Sequence, residues 1–162
     1  MIALETLGDP ISVFGGEAKP VIIRLLQEAA AVYQQTNRAE KILWSAQAID
    51  PSCLPVYFAL YKFYFYKFRL ADAEKAALAG LKSAAQQGGF AAEWSCLSVT
   101  TAKWSSPEGA QHFYLFTLKA LAFIRLRLGK REESLAILDK LEELDPQDSV
   151  GSSVIRDLAT IR

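Results

Sequence analysis

The chain holds one histidine, His112, and two cysteines, Cys53 and Cys96, which stand 43 residues apart with no CxxC pair. A structural zinc site asks for four Cys or His ligands in paired spacings, so that chemistry is nearly excluded and no metal is expected. Two cysteines could close one disulfide; the simpler reading is two buried thiols in a reducing compartment, with Cys96 a small hydrophobe between Trp94 and Trp104. None of the patterns GxGxxG, GxxxxGK[ST], GxSxG or HExxH occurs. His112 reads as a polar residue on a helix face rather than a general base. Asp139, Glu142, Glu143 and Asp145 read as a solvated face balanced by Lys130, Arg131 and Lys140 at helical spacing. No catalytic residue and no cofactor are expected, and the chain does not read as an enzyme.

The bulk properties narrow the classes further. With 162 residues, 18 Lys+Arg against 18 Asp+Glu and a pI near 6.6, the chain lacks the basic excess of a duplex-binding domain or an electrostatic membrane binder. Apolar residues at 51% and charged residues at 22% are ordinary for a globular domain and exclude wholesale disorder. MIALETLGDP lacks the basic and apolar regions of an export signal, and the run Leu54–Tyr66, interrupted by Lys62, is too short for a bilayer span. A soluble, cytoplasmic protein without nucleic-acid or membrane partners is expected.

What must position any site is a set of helices. Gly8, Asp9, Pro10, Gly15 and Gly16 make residues 1–16 a loop or arm. Beyond it the apolar residues recur at three- and four-residue spacing. One helix opens at Pro20 and carries Val21, Leu25, Leu26, Ala29, Val32 and Tyr33; another spans Ala39–Ile49 and stops at Asp50-Pro51. A third runs from Pro55 to about Arg69, with Tyr57, Tyr61, Tyr64 and Phe68 on one core face, and a fourth covers Ala71–Ala85. Segment 86–106 gives only a weak helical signal around Phe90, Trp94 and Leu97. Ser106-Pro107-Glu108 then carries a helix start, with a capping hydroxyl, a first-turn proline and a carboxylate at the positive end. That helix reaches Leu128 and Gly129, another spans Glu132–Leu144, and a last stretch, Val150–Ile161, turns Val154, Ile155, Leu158 and Ile161 inward.

The helices repeat. Ala39 and Ala73, Leu43 and Ala77, Ala30 and Tyr64, and Pro51 and Ala85 are each 34 residues apart, and Pro146 follows Ala85 by 34 plus 27. With these residues the sequence resembles the tetratricopeptide repeats. The motif places read Ile23, Leu26, Gln27, Ala30, Ala39, Leu43 and Pro51 in the first copy, and Tyr57, Leu60, Tyr61, Tyr64, Ala73, Ala77 and Ala85 in the second. The third reads Leu118, Leu121, Ala122, Arg125, Ser134, Leu138 and Pro146, with Gly129 at the turn. Gln27 and Tyr61 depart from the motif, which wants a small residue there. The resemblance covers about residues 20–147 and implies an all-α, right-handed superhelix of antiparallel helix pairs. Its parts would be an arm (1–19), repeats at 20–53, 54–85 and 107–147, an insertion (86–106) and a capping helix (148–162), whose polar side carries Ser152, Arg156, Asp157 and Arg162. CLPVYFALYKFYFYKFRLADAE and FYLFTLKALAFIRLRLG also resemble small proteins of this kind encoded among nitrogen-fixation genes.

In this family the first helix of each pair lines a concave groove that holds peptides. The stripe would be Phe58, Lys62, Phe65 and Tyr66 in the second copy, with Phe58 and Phe65 fitting the core as readily as the groove, and His112, Phe116, Lys119, Phe123 and Arg127 in the third. Arg24, Glu28 and Ala31 would continue it in the first. Aromatic faces with cations among them suit a protein segment carrying apolar anchors and Asp or Glu. The family's two-carboxylate clamp for chaperone tails is absent, because Glu28 stands where it needs an asparagine. The resemblance to three-repeat chaperones of type III secretion is weak, since those are acidic. A non-catalytic adaptor or assembly chaperone is therefore expected. The alternative is a self-associating structural protein that uses the aromatic face and segment 86–106 as a homodimer interface.

Overall fold

Proline, glycine and small-residue punctuation divides the chain into helices close to those that periodicity predicts. The computed structural model describes residues 18–161, and the expected arm at 1–16 lies outside the described residues. Among the described residues there are seven α-helices and no strand: α1 Pro20–Ala31, α2 Thr36–Ile49, α3 Leu54–Tyr66, α4 Leu70–Gly88, α5 Gly109–Arg127, α6 Arg131–Leu144 and α7 Ser152–Thr160. Pro20 opens α1 at a position whose N–H would have no intrahelical partner. At the end of α2, the Asp50 carboxylate accepts from the Ser52 N–H at 3.2 Å and its hydroxyl at 2.6 Å, fixing the turn into α3.

Short turns make sequence neighbours pack together: α1 on α2, α3 on α4, α5 on α6, with α4 lying along α5 as well as α3. α4 can lie that close because its buried face is mostly small: Ala73, Ala76, Ala77, Gly80, Ser83, Ala84 and Ala85, with Leu81 the one large side chain among them. A Cβ at Gly80 would stand 3.0 Å from the Tyr57 Cβ and 3.4 Å from the Phe113 ring, so glycine is what lets three helices meet there. The helices on either side supply the bulk. In α3, Tyr57, Phe58, Tyr61, Phe63, Tyr64 and Phe65 are all buried, and in α5 every residue from Phe113 to Ile124 is.

The same turn closes α3 and α5. Arg69 N–H donates to Tyr64 O (2.9 Å) and Phe68 N–H to Phe65 O (3.1 Å); Lys130 N–H donates to Arg125 O (2.8 Å) and Gly129 N–H to Leu126 O (3.1 Å). Both turns need a left-handed residue, which is Gly129 (φ 83°) in one and Phe68 (φ 59°) in the other. This corrects the expectation that Phe68 belongs to the core face: in that conformation its ring leaves the helix and is 72% exposed.

Three other expectations are corrected. α5 begins at Gly109, with Glu108 as its N-cap, because the Ser106 hydroxyl donates to the Glu108 carbonyl at 3.0 Å instead of capping a helix. Cys96 is exposed while Cys53 is buried, and both are free thiols. In α7 the inward stripe is Ser152, Ile155 and Ala159, leaving Val154 (49%), Leu158 (41%) and Ile161 (71%) exposed. The apolar stripe of α7 is thus displaced by one residue from the stripe that packs.

Segment 86–106 folds onto α5 and α6 around one short 3-10 turn, Trp94–Cys96. Phe90, Trp104 and Tyr114 form a three-ring cluster with centroids 5.1–6.1 Å apart. Tyr114 Oη donates to Ala92 O (2.7 Å), Trp104 Nε1 to Ser98 O (2.8 Å) and Lys140 Nζ to Leu97 O (2.7 Å). These bonds satisfy carbonyls that a strandless, largely helix-free segment would otherwise leave unpaired.

Candidate partner-binding site

α3 and α5 run side by side in the same direction, which their ring contacts fix. Phe58 meets Phe116 at 5.9 Å and Phe65 meets Phe123 at 5.3 Å, the same 58-residue offset two turns further along. Tyr61 Oη and Thr117 Oγ1, 3.3 Å apart, close the seam between these pairs. Phe58, Phe65, Phe116 and Phe123 are therefore buried seam residues, 0–5% exposed; spacing left Phe58 and Phe65 open between groove and core, and Phe116 and Phe123 are not the open groove faces expected. Seven-residue spacing puts side chains on one face of a helix, but does not say whether solvent or a neighbouring helix lies in front of it.

The cations of the predicted stripe sit on those rings. Lys62 Nζ lies over Phe58 at 5.6 Å, and Lys119 Nζ over Phe116 at 4.6 Å. Lys62 is half-buried, whereas Lys119 is 6% exposed. Burial pushes the Lys119 ammonium down from the usual lysine range to about 8, an effect that Asp148 in the α6–α7 connection partly opposes. Neither lysine makes an ion pair among the described residues, whose ion pairs lie elsewhere: Arg69 with Glu40 and Asp72, Arg125 and Lys130 with Glu74, Lys140 with Glu143, and Arg156 with Asp139 and Glu142.

The remaining predicted residues surround this seam with differing exposure. Tyr66, half-buried, packs edge-on against Phe65 at 5.9 Å. His112 is half-buried one turn before Phe116; burial lowers its pKa, Asp145 opposes this, and Lys119 adds to it. Arg127 is exposed at the far end of α5, and Arg24, Glu28 and Ala31 of α1 are exposed as well. On the α2 side of α3, the Tyr64 hydroxyl donates to Glu40 and accepts from Trp44 Nε1 at 2.7 Å, while Arg69 binds the same Glu40 carboxylate at 2.9 and 3.1 Å. An ammonium held with little water, with a second lysine, Lys62, on the facing ring, can receive a carboxylate more strongly than a solvated lysine could.

A second concavity, of about 500 Å³, opens between α4, the 86–106 segment and α6, lined by Leu78, Leu81, Lys82, Trp94, Arg125 and Glu133. Sequence periodicity gave no signal for it, because the irregular segment closes one of its sides with Ala92, Glu93 and Trp94. Among the described residues, no group of three or more His, Cys, Asp or Glu is placed to hold a metal ion, and no helix is long and apolar enough to cross a membrane.

Fold and site define an all-α protein of packed helix pairs with a cation-edged aromatic seam. The chain is 31% identical over 131 residues to the "Uncharacterized 19.8 kDa protein in nifW 5'region" of Azotobacter chroococcum mcd 1, an alignment covering 80% of this chain and 73% of that protein. The chain belongs to the same family as that protein. No protein-family model matches it, and no solved structure does.

Proposed function

We propose that this chain is a tetratricopeptide-type, non-catalytic interaction module of the cytoplasm that holds an acidic, apolar segment of another protein along the α3/α5 seam. The observation that carries the reading is the pair of lysines, Lys62 and Lys119, seated over the contacting rings of Phe58 and Phe116 without a carboxylate partner among the described residues. Burying a cation without its counter-ion is unfavourable, and a ligand carboxylate removes that penalty. The repeat supports the class. Ala39 and Leu43, Ala73 and Ala77, and Ser134 and Leu138 occupy matching places in α2, α4 and α6, and all six are buried. The common turn after α3 and α5 points the same way.

The relative lies in a nifW 5' region, so extract of nitrogen-fixing cells is the first source to try. Tagged wild type is compared with Lys62→Glu/Lys119→Met, both checked for helical content by circular dichroism. A protein retained by wild type and lost by the folded variant supports the seam as the binding site. Equal retention by both moves binding away from it.

A further inference from the structure

Phe68 stands in the left-handed turn after α3 at φ 59° with its ring 72% exposed, whereas the matching turn after α5 is made by Gly129. A glycine would make the same turn without strain, so the conformation is held at a cost for a ring that the described residues leave in solvent. Lys67 beside it has no carboxylate partner among the described residues; its ammonium rests on the Tyr33 ring at 3.9 Å. A rigid ring presented next to a cation is the side-chain chemistry that anchors protein interfaces.

The concavity between α4, segment 86–106 and α6 is its complement. At about 500 Å³ it has room for a phenyl ring, and Leu78, Leu81, Trp94 and Ala136 give it apolar walls. It is open: Leu78 is 41% exposed, and Ala136, Glu93 and Glu133 are exposed as well. Of its charged residues, Arg125 is taken by Glu74 at 3.0 Å. Glu93, Glu133 and Lys82 make no ion pair among the described residues, which leaves an excess of carboxylate to meet a cation such as Lys67.

Phe68 cannot fill this concavity in its own chain. The wall residues on α4, Leu78, Leu81 and Lys82, lie 8 to 12 residues past Leu70, which is about 12–18 Å at 1.5 Å per residue and beyond the reach of one side chain. Only another copy can bring ring and concavity together.

We propose that Phe68 of one molecule inserts into the α4–α6 concavity of the next, with Lys67 meeting Glu93 or Glu133, so that the chain associates head to tail with further copies of itself. A reciprocal pair is disfavoured. Its two-fold axis would pass α4 midway between Phe68 and the concavity, where the exposed Lys75 would face its own copy. A phenylalanine supplies about 150–250 Å² of contact against the roughly 800 Å² per partner of a stable interface, so the association is weak and reversible. This surface is separate from the α3/α5 seam, and the inference does not depend on what the seam binds.

Sedimentation equilibrium from about 10 μM to about 1 mM reads it, on wild type and on two variants checked for helical content by circular dichroism. Phe68→Gly removes the anchor, and Ala136→Arg, at an exposed position of α6, fills the concavity with a cation. Wild type should rise from the monomer mass of 17.9 kDa without levelling at a dimer. Each variant alone should associate at least about tenfold more weakly, and an equal mixture of the two should form a one-to-one pair and grow no further. Lys62→Glu/Lys119→Met should associate as wild type does, which keeps this outcome apart from that of the seam. Wild type that stays monomeric at about 1 mM, variants that associate as wild type does, or a mixture that does not pair would overturn the proposal. A wild-type mass that levels at a dimer would overturn its head-to-tail form.

Discussion

Lys119 is the residue at which stability and binding separate. A lysine 6% exposed on α5, over a phenylalanine ring and with its ammonium pushed down to about 8, is held at the expense of the fold. Its native pKa lies below the unfolded value near 10.4, so between pH 8 and about 10 the unfolded chain binds more protons and stability rises with pH. The buried Cys53 thiol, whose pKa is raised by burial, acts in the opposite direction over the same range and is cancelled by comparison with a Lys119→Met variant that retains it. Denaturant titrations should show Lys119→Met more stable than wild type by about 1–3 kcal/mol at pH 7, the gap closing as the pH passes 8 and approaches 10. A gap that does not change with pH would mean that Lys119 is not the strained cation described here. Sequence spacing grouped this lysine with Phe116, over whose ring it lies. It could not reveal the burial, because that depends on how closely α5 approaches its neighbours.

At the scale of elements, the close approach of α4 to α3 and α5 sets the seam's geometry. Gly80→Ala improves helix propensity by about 1 kcal/mol, yet it puts a methyl 3.0 Å from the Tyr57 Cβ, an atom that cannot move without its helix. We expect a net loss of about 1–2 kcal/mol by chemical denaturation; a net gain would show that the α3–α4 contact has slack. Phe68→Gly should act in the opposite sense, stabilising by about 1 kcal/mol, because it restores to the α3 turn the residue type that Gly129 supplies after α5. Every element of the described region was legible in the sequence, since prolines, small residues and apolar spacing all mark helices. The errors fell where a single hydrogen bond or a one-residue phase decides. Ser106 bonds a carbonyl instead of capping α5, Phe68 enters the left-handed turn, and α7 packs Ser152, Ile155 and Ala159 in place of its larger apolar stripe.

For the whole molecule, the seam lies between two ring-bearing helices tied into one core. The candidate site was half legible: spacing grouped Phe58, Lys62, Phe65, Phe116, Lys119 and Phe123 on the facing stripes of two helices. That the rings pair across the seam, leaving the cations as its distinctive chemistry, follows from the parallel packing of α3 and α5, which no local pattern encodes. The central claim is that these cations read a partner's carboxylates. Its most direct test is calorimetric titration of the captured partner's binding segment into wild type, Lys62→Glu and a control, Lys75→Glu, an exposed lysine of α4 outside the seam. The account predicts that Lys62→Glu weakens binding by about tenfold or more while Lys75→Glu changes it less than about twofold. Equal effects of the two substitutions, or none from Lys62→Glu, would contradict it.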